Sequence, residues 1–210
     1  MTLQNRVSPT QEIVAEDARG TLMGNRGCLH RPDRTLGVAR WRSKMWIACR
    51  LEWKGVRRDP MPPGRWTALF FLDEATALAA GHRPCAYCRR EDFNAFAEAW
   101  RVAQGLAARL RAPEMDAVLH SQRVESRTRR QRTHRDPVGE LPDGVMVRVD
   151  REIGLLLDGS IKPWSFDGYG AGDSVPAGGE IEVLTPPATV AAIAAGYRPA
   201  VHPSAGAPVD

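Results

Sequence analysis

The chain has 210 residues, of which 43% are hydrophobic and 26% charged; this is ordinary for a globular chain of one domain or two small ones, with a real core. No apolar run reaches the roughly 20 residues of a membrane span. The N-terminal MTLQNRVSPTQEIVAEDARG lacks the apolar centre of a secretory signal, so a cytoplasmic location with reduced thiols is expected. The formal net charge is only +4, and the basic residues are almost all arginine: Lys44, Lys54 and Lys162 are the only lysines among 29 Lys plus Arg.

Residues 1–17 read as a flexible leader. GTLMGNRGCLH (20–30) begins as a strand. KMWIACRLEW (44–53) alternates, with Ile47, Cys49, Leu51 and Trp53 on one side and Trp46, Ala48, Arg50 and Glu52 on the other. GVRRDPMPPG (55–64) is a Pro-rich loop, and RWTALFFL (65–72) is a third strand, apolar enough to be buried on both faces. Asp73 caps a short helix, EATALAA, that stops at Gly81, a C′ position requiring left-handed backbone. Pro84 cannot continue that helix. A second helix follows Cys85, with Phe93, Phe96, Ala97, Trp100, Ala103, Ala107 and Leu110 as its apolar stripe and Glu91 and Asp92 in its first turn. Pro113 ends this unit, and EMDAVLHSQRV (114–124) is another helix.

From Leu141 short alternating runs and the pairs Asp143-Gly144 and Asp158-Gly159 predict hairpins. GGEIEVLTP adds a strand, PATVAAIAAG a short helix, and HPSAGAPVD a frayed tail. The fold class expected is α+β: a small strand and helix unit over 18–112, a basic connector over 113–140, and a short β-rich unit over 141–205.

Cys85 and Cys88 stand as C-x-x-C at a helix start. A redox pair would follow a βαβ pattern, and no such order is present. Two thiolates of a zinc site, completed by two ligands from a distant strand or loop, are favoured over the redox pair and over two buried structural cysteines. The later IAAGYRPAVHPS has the same helix, glycine, aromatic and proline without the cysteines. The corner is therefore a helix cap, and the cysteines are an addition to it. His202, in that second copy, is not favoured as a ligand.

FFLDEATALAAGHRPCAYCRRED (70–92) resembles the zinc-binding segment of the Ada family of DNA alkylation-repair proteins, through Ala79, Ala80, Gly81, Arg83, Pro84, Cys85 and Cys88. His82 stands where that family has an aromatic. The resemblance implies a zinc-bearing fold, Zn2+ on Cys85 and Cys88, and association with DNA. The family's upstream G-x-x-C-R-P-x-C pair falls here on Gly27, His30, Arg31, Pro32 and Arg34. His30 then takes the place of the family's nucleophilic cysteine as a neutral imidazole ligand, and Arg34 cannot bind zinc. Methyl-acceptor activity is not implied. The fourth ligand is Cys49, on the inward face of its strand, or alternatively Cys28, two residues before His30 and on the same side of an extended strand.

RVESRTRRQRTHR (123–135) carries six arginines and one glutamate. Arg127, Arg129, Arg130 and Arg132 are candidate contacts to a nucleic-acid backbone, against a solvated linker as the alternative. His120, Arg123 and His134 bracket the run and are the candidate catalytic set of a second reading, an enzyme acting on phosphates or nucleotides with structural zinc. Trp164, Phe166 and Tyr169 offer rings for stacking on bases, or for packing in a small β unit. A plain interaction module is the third reading.

Overall fold

The computed structural model describes residues 2–56, 59–175 and 178–206; Arg57 and Arg58 of the Pro-rich loop, and the last four residues of the tail, lie outside the described residues. The architecture is α+β. The first sheet comprises β1 (Gln4–Val7), β2 (Ile13–Ala15), β3 (Leu22–Asn25), β4 (Ile47–Arg50), β5 (Leu69–Phe71) and β6 (Arg83–Pro84), in the order β2-β1-β5-β3-β4-β6. The second comprises β7 (His134–Pro137), β8 (Met146–Val149), β9 (Glu152–Leu157), β10 (Ser160–Ser165), β11 (Gly168–Tyr169), β12 (Asp173–Ser174) and β13 (Glu180–Val183), in the order β11-β10-β9-β8-β13-β7 with β12 on β10. The helices are α1 (Glu74–Ala79), α2 (Arg90–Ala103), α3 (Ala112–Arg123) and α4 (Pro187–Ala194).

Helix α1 joins the layers. Its alanines let three groups of side chains approach closely. Ala77 and Ala80 meet Val7, Leu69 and Phe71 of the first sheet. Ala75 and Ala79 meet Met146, Leu155 and Tyr169 of the second. Leu78 enters the largest cluster, in which α2, α3 and α4 cover Val147, Leu156 and Val183. Successive residues of β8 and β9 divide between these clusters, as the period of two requires.

Five sequence expectations change. Residues 1–17 are not a loose leader: β1 runs parallel to β5, β2 pairs back on β1, and Val7 and Ile13 are buried. Helix α2 ends at Ala103 because Gly105 takes φ +60°, so Ala107 and Leu110 lie beyond it. Pro113 does not end a unit but occupies the first turn of α3, where a missing N–H costs nothing. Asp158-Gly159 makes the β9–β10 turn with both residues at positive φ, as a type I′ turn demands. Asp143-Gly144 only leads into β8, and the β8–β9 turn is Asp150-Arg151. The tail packs rather than frays: Ala205 is buried in a short 3-10 turn over Pro203–Ala205.

The two A-A-G-x-R-P copies are the same cap. Gly81 and His82 donate to the Leu78 and Ala77 carbonyls at 2.9 Å each, and Gly196 and Tyr197 to those of Ile193 and Ala192 at 3.0 and 3.1 Å. Both glycines have positive φ, +82° and +109°. They differ in surroundings: a Cβ on Gly81 would lie 2.5 Å from Cδ of buried Arg123, whereas one on Gly196 meets nothing. Gly196→Ala should cost about 1 kcal/mol from backbone alone, and Gly81→Ala a further ~1–3 kcal/mol from overpacking. Urea unfolding of the two variants checks this; equal losses would contradict it.

Candidate metal centre

Two sheet registers assemble three cysteines. Met23 of β3 stands opposite Cys49 of β4 and Phe70 of β5. Strand β6 runs parallel to β4 with Pro84 beside Ala48, and the Cys85 amide donates to the Ala48 carbonyl at 2.9 Å. One residue further along, Cys85 is level with Cys49. The Arg89 amide then donates to the Cys85 carbonyl at 3.1 Å, turning the chain so that Cys88 faces back before α2 begins. The ligand atoms of Cys49, Cys85 and Cys88 all lie within 4.8 Å of one another, and the three residues are buried. Tetrahedral Zn–S bonds of about 2.3 Å place sulfurs roughly 3.8 Å apart, inside the 4.8 Å limit that holds for this group, so the three cysteines could hold a metal ion.

The surroundings are set for thiolates. Met23, Ala68, Ile47, Trp53, Trp66 and Phe70 pack on the sulfurs. The neighbouring Cys49 thiol holds Cys85 down at about 5, with further help from the Cys88 and Tyr87 amides. Cys88 is lowered by the same Cys49 donor and by the Arg50 amide. Cys49 is raised, first by its hydrogen bonds to Cys85 and Cys88 and then by burial.

Two buried ion pairs hold this corner. Arg83 of the R-P-C segment grips Asp116 of α3 through Nε to Oδ1 at 2.9 Å and Nη2 to Oδ2 at 2.7 Å. Burial pushes Asp116 up, and the Arg83 pair draws it back toward its ordinary range. Arg89 pairs with Glu74 at 2.9 Å and with Asp92 at 2.8 Å, fixing the start of α2 against α1.

His30 is not in the cysteine group. Its Nδ1 bonds the Thr67 hydroxyl at 2.7 Å and its Nε2 faces the Pro62 carbonyl at 3.2 Å, so both ring nitrogens serve the 60–67 loop. Cys28 is also outside the group; its sulfur faces the His30 carbonyl at 3.8 Å. Of the two candidates for completing the set, the structure brings only Cys49 to the C-x-x-C pair. Among the described residues no further Cys, His, Asp or Glu joins them.

Of the candidate catalytic set, the structure brings His120 and Arg123 into contact but not His134. Arg123 is fully buried, donating to the Gly81 carbonyl at 2.7 Å and the Lys44 carbonyl at 2.5 Å, with its guanidinium 4.0 Å from the centre of the Trp46 ring. His120 packs edge-on against Trp41 and Trp46 and meets Arg123 at 3.4 Å. Burial and then Arg123 lower its pKa. His134 sits on β7, opposite Val183, and pairs with Asp136 at 3.2 Å. No contact among the described residues joins it to His120 or Arg123.

Arg127, Arg129 and Arg130 are exposed on a loop closed by the Val124–Gln131 bridge, Arg132 is exposed just beyond it, and none pairs with a carboxylate among the described residues. Trp164 donates to Thr76 at 3.1 Å and Tyr169 to Asp73 at 2.8 Å, so both rings anchor α1. Phe166 lies edge-on to Trp164. His202 bonds Ser204 through Nδ1 and is not a member of the cysteine group. Sequence reasoning missed Arg26, a buried arginine discussed below, because arginine ordinarily reads as a surface residue.

Comparison with protein-family models, with curated proteins and with solved structures finds no match to this chain.

Three ordinary thiols release close to three protons when they bind a metal at pH 7.5. With Cys85 and Cys88 already shifted toward thiolate and Cys49 held protonated, this site should release between about one and two. Calorimetric titration of metal-free protein in buffers of different ionisation enthalpy measures the number; a value near three would contradict the lowering of Cys85 and Cys88.

Proposed function

We propose that this chain is a zinc-binding protein that associates with nucleic acid, without methyl-acceptor activity. The observation that carries the metal reading is the buried sulfur triad. Cys49 comes from one strand and Cys85 and Cys88 from the segment paired beside it, all within 4.8 Å. Three thiolates suit a borderline or soft cation far better than magnesium or calcium. When bound, zinc would cross-link β4 to the start of α2 and contribute directly to folding free energy.

Three protein ligands leave a fourth position for water or another exogenous donor. Trp53 packs on the cluster with its indole N–H buried and unpartnered among the described residues, a donor suited to such a ligand. The resemblance to the Ada zinc segment rests on the strand, short helix, Gly81 and R-P-C-x-x-C order, which recur here as β5, α1, the Gly81 cap and β6. It does not extend to the upstream pair, since His30 is engaged with Thr67 and Arg34 with Asp59. With His30 in the place of that family's nucleophile, no methyl-acceptor role is assigned.

Protein purified without chelators should hold about one zinc per chain. Cys49→Ser should lose most of that metal and lower the melting temperature as strongly as Cys85→Ser, because each removes one of three ligands. Elemental analysis and thermal melts test this. Metal-free native protein, or full zinc retention in Cys49→Ser, would reject it.

The nucleic-acid association rests on the exposed, unpaired arginines of the 124–131 loop and on Arg132. Such contacts give affinity without sequence choice. Binding of single- or double-stranded DNA should weaken log-linearly with salt, at about 0.7 to 0.9 per phosphate neutralised. Replacing Arg127, Arg129, Arg130 and Arg132 by Gln should flatten that slope while leaving metal content unchanged. Absence of binding at low salt would end this reading.

A further inference from the structure

Arg26 is almost wholly inside the protein, 1% exposed, and no carboxylate answers it among the described residues. Its Nη1 donates to the Gln11 carbonyl at 3.1 Å, its Nε faces Nε2 of buried His82 at 3.4 Å, and its guanidinium lies 4.1 Å from the centre of the Trp46 ring. Nη2 is buried with no hydrogen-bond partner. Stacking on an indole compensates a buried cation in part, but an unanswered guanidinium N–H is an incomplete site. Burial, then Arg123 and Arg40, hold its pKa well below the ordinary arginine range. An anion beside it would remove that penalty.

Arg26 forms part of the wall of a cleft of about 490 Å3, which Arg40, Arg129, Arg130, Arg148 and Glu12 also line. Arg148 is neutralised by Glu182, through Nη1 to both carboxylate oxygens at 3.0 and 3.1 Å. Arg40, Arg129 and Arg130 are exposed and carry no ion pair among the described residues. The cleft therefore presents one buried and three exposed guanidinium groups against a single unpaired carboxylate. Gln11, itself at φ +70°, brings its carbonyl to Arg26 and its side-chain amide to the Arg123 carbonyl at 2.8 Å, fixing the back wall.

We infer that this cleft is a phosphate-binding site, with Arg26 as the buried donor at its base and Arg40, Arg129 and Arg130 at its rim. Planar guanidinium forks match the oxygens of a phosphate monoester or diester. The ligand is either a free phosphate ester or one phosphate of a nucleic-acid backbone. The cleft shares Arg129 and Arg130 with the loop proposed above to contact nucleic acid. It depends on Arg26 and Arg40, which that loop does not contain, so the two ideas fail separately.

The test uses the full chain loaded with its metal and compares inorganic phosphate, a 5′-mononucleotide and a short single-stranded oligonucleotide. Potassium chloride at matched ionic strength is the control. Phosphate should raise the melting temperature beyond chloride, and Arg40→Gln and Arg26→Gln should each weaken phosphate binding by about tenfold or more. If Arg26→Gln does not fold, Arg40→Gln and the Arg129→Gln/Arg130→Gln double variant decide the matter. Mononucleotide binding without oligonucleotide binding identifies a free phosphate ester. Competition between the oligonucleotide and phosphate identifies a backbone phosphate. Both outcomes uphold the cleft. An Arg127→Gln/Arg132→Gln variant that loses the oligonucleotide but keeps phosphate confirms that loop and cleft act separately. Phosphate and chloride acting alike on the wild type, or undiminished phosphate binding in folded Arg40→Gln, would overturn the inference.

Discussion

All six residues of α1 are buried, and its first two carboxylates, Asp73 at the N-cap and Glu74, are buried with it. Such groups must be answered inside the protein or cost several kcal/mol each. Asp73 accepts from the Thr76 amide, the Tyr169 hydroxyl and the His202 amide at 2.8, 2.8 and 2.9 Å. Glu74 accepts from the Tyr197 hydroxyl at 2.6 Å and the Ala200 amide at 3.0 Å, and pairs with Arg89 at 2.9 Å. These bonds tie α1 to β11, to the cap after α4, to the C-terminal segment and to the start of α2. The two sheets are held on either side of a helix whose polar demands only the whole chain can meet.

The cysteine group that could hold a metal ion follows from that arrangement. Gly81 reverses the chain at the end of α1, Arg123 packs into the space a side chain there would need, and β6 is delivered alongside β4 in the register that sets Cys85 beside Cys49. Arg83 and Arg89, the arginines flanking the C-x-x-C, spend their charge on Asp116 and Glu74 rather than on a ligand. The sulfur site is thus built by buried polar pairs around it, while the sulfurs themselves sit among Met23, Phe70, Trp53 and Trp66.

Much of this was legible because it is local. The Asp73 cap, the Gly81 stop and the alternation placing Cys49 on one face of its strand each depend on a few neighbouring residues. The β1 and β2 pairing was not legible, since QNRV and IVA are short and their place beside β5 is set by partners some 60 positions away. Pro113 was misplaced because proline stops one helix and starts another by the same missing N–H. His30 was assigned as a ligand by its position in a motif, but its hydrogen-bond partner Thr67 comes from a distant segment. Arg123 was offered as a catalytic candidate and Arg26 carried no reading; the packing around Trp46 shows both buried. Elements came from local pattern, and donor identity at long range came from register.

The central claim is a metal held by Cys49, Cys85 and Cys88 with a fourth position not filled by a protein sulfur. X-ray absorption at the zinc edge of the loaded protein measures this directly. The account predicts three sulfurs at about 2.3 Å and one lighter atom at about 2.0 Å. A shell of four sulfurs, with Cys28 recruited, or a shell of nitrogen and oxygen without sulfur, would contradict it.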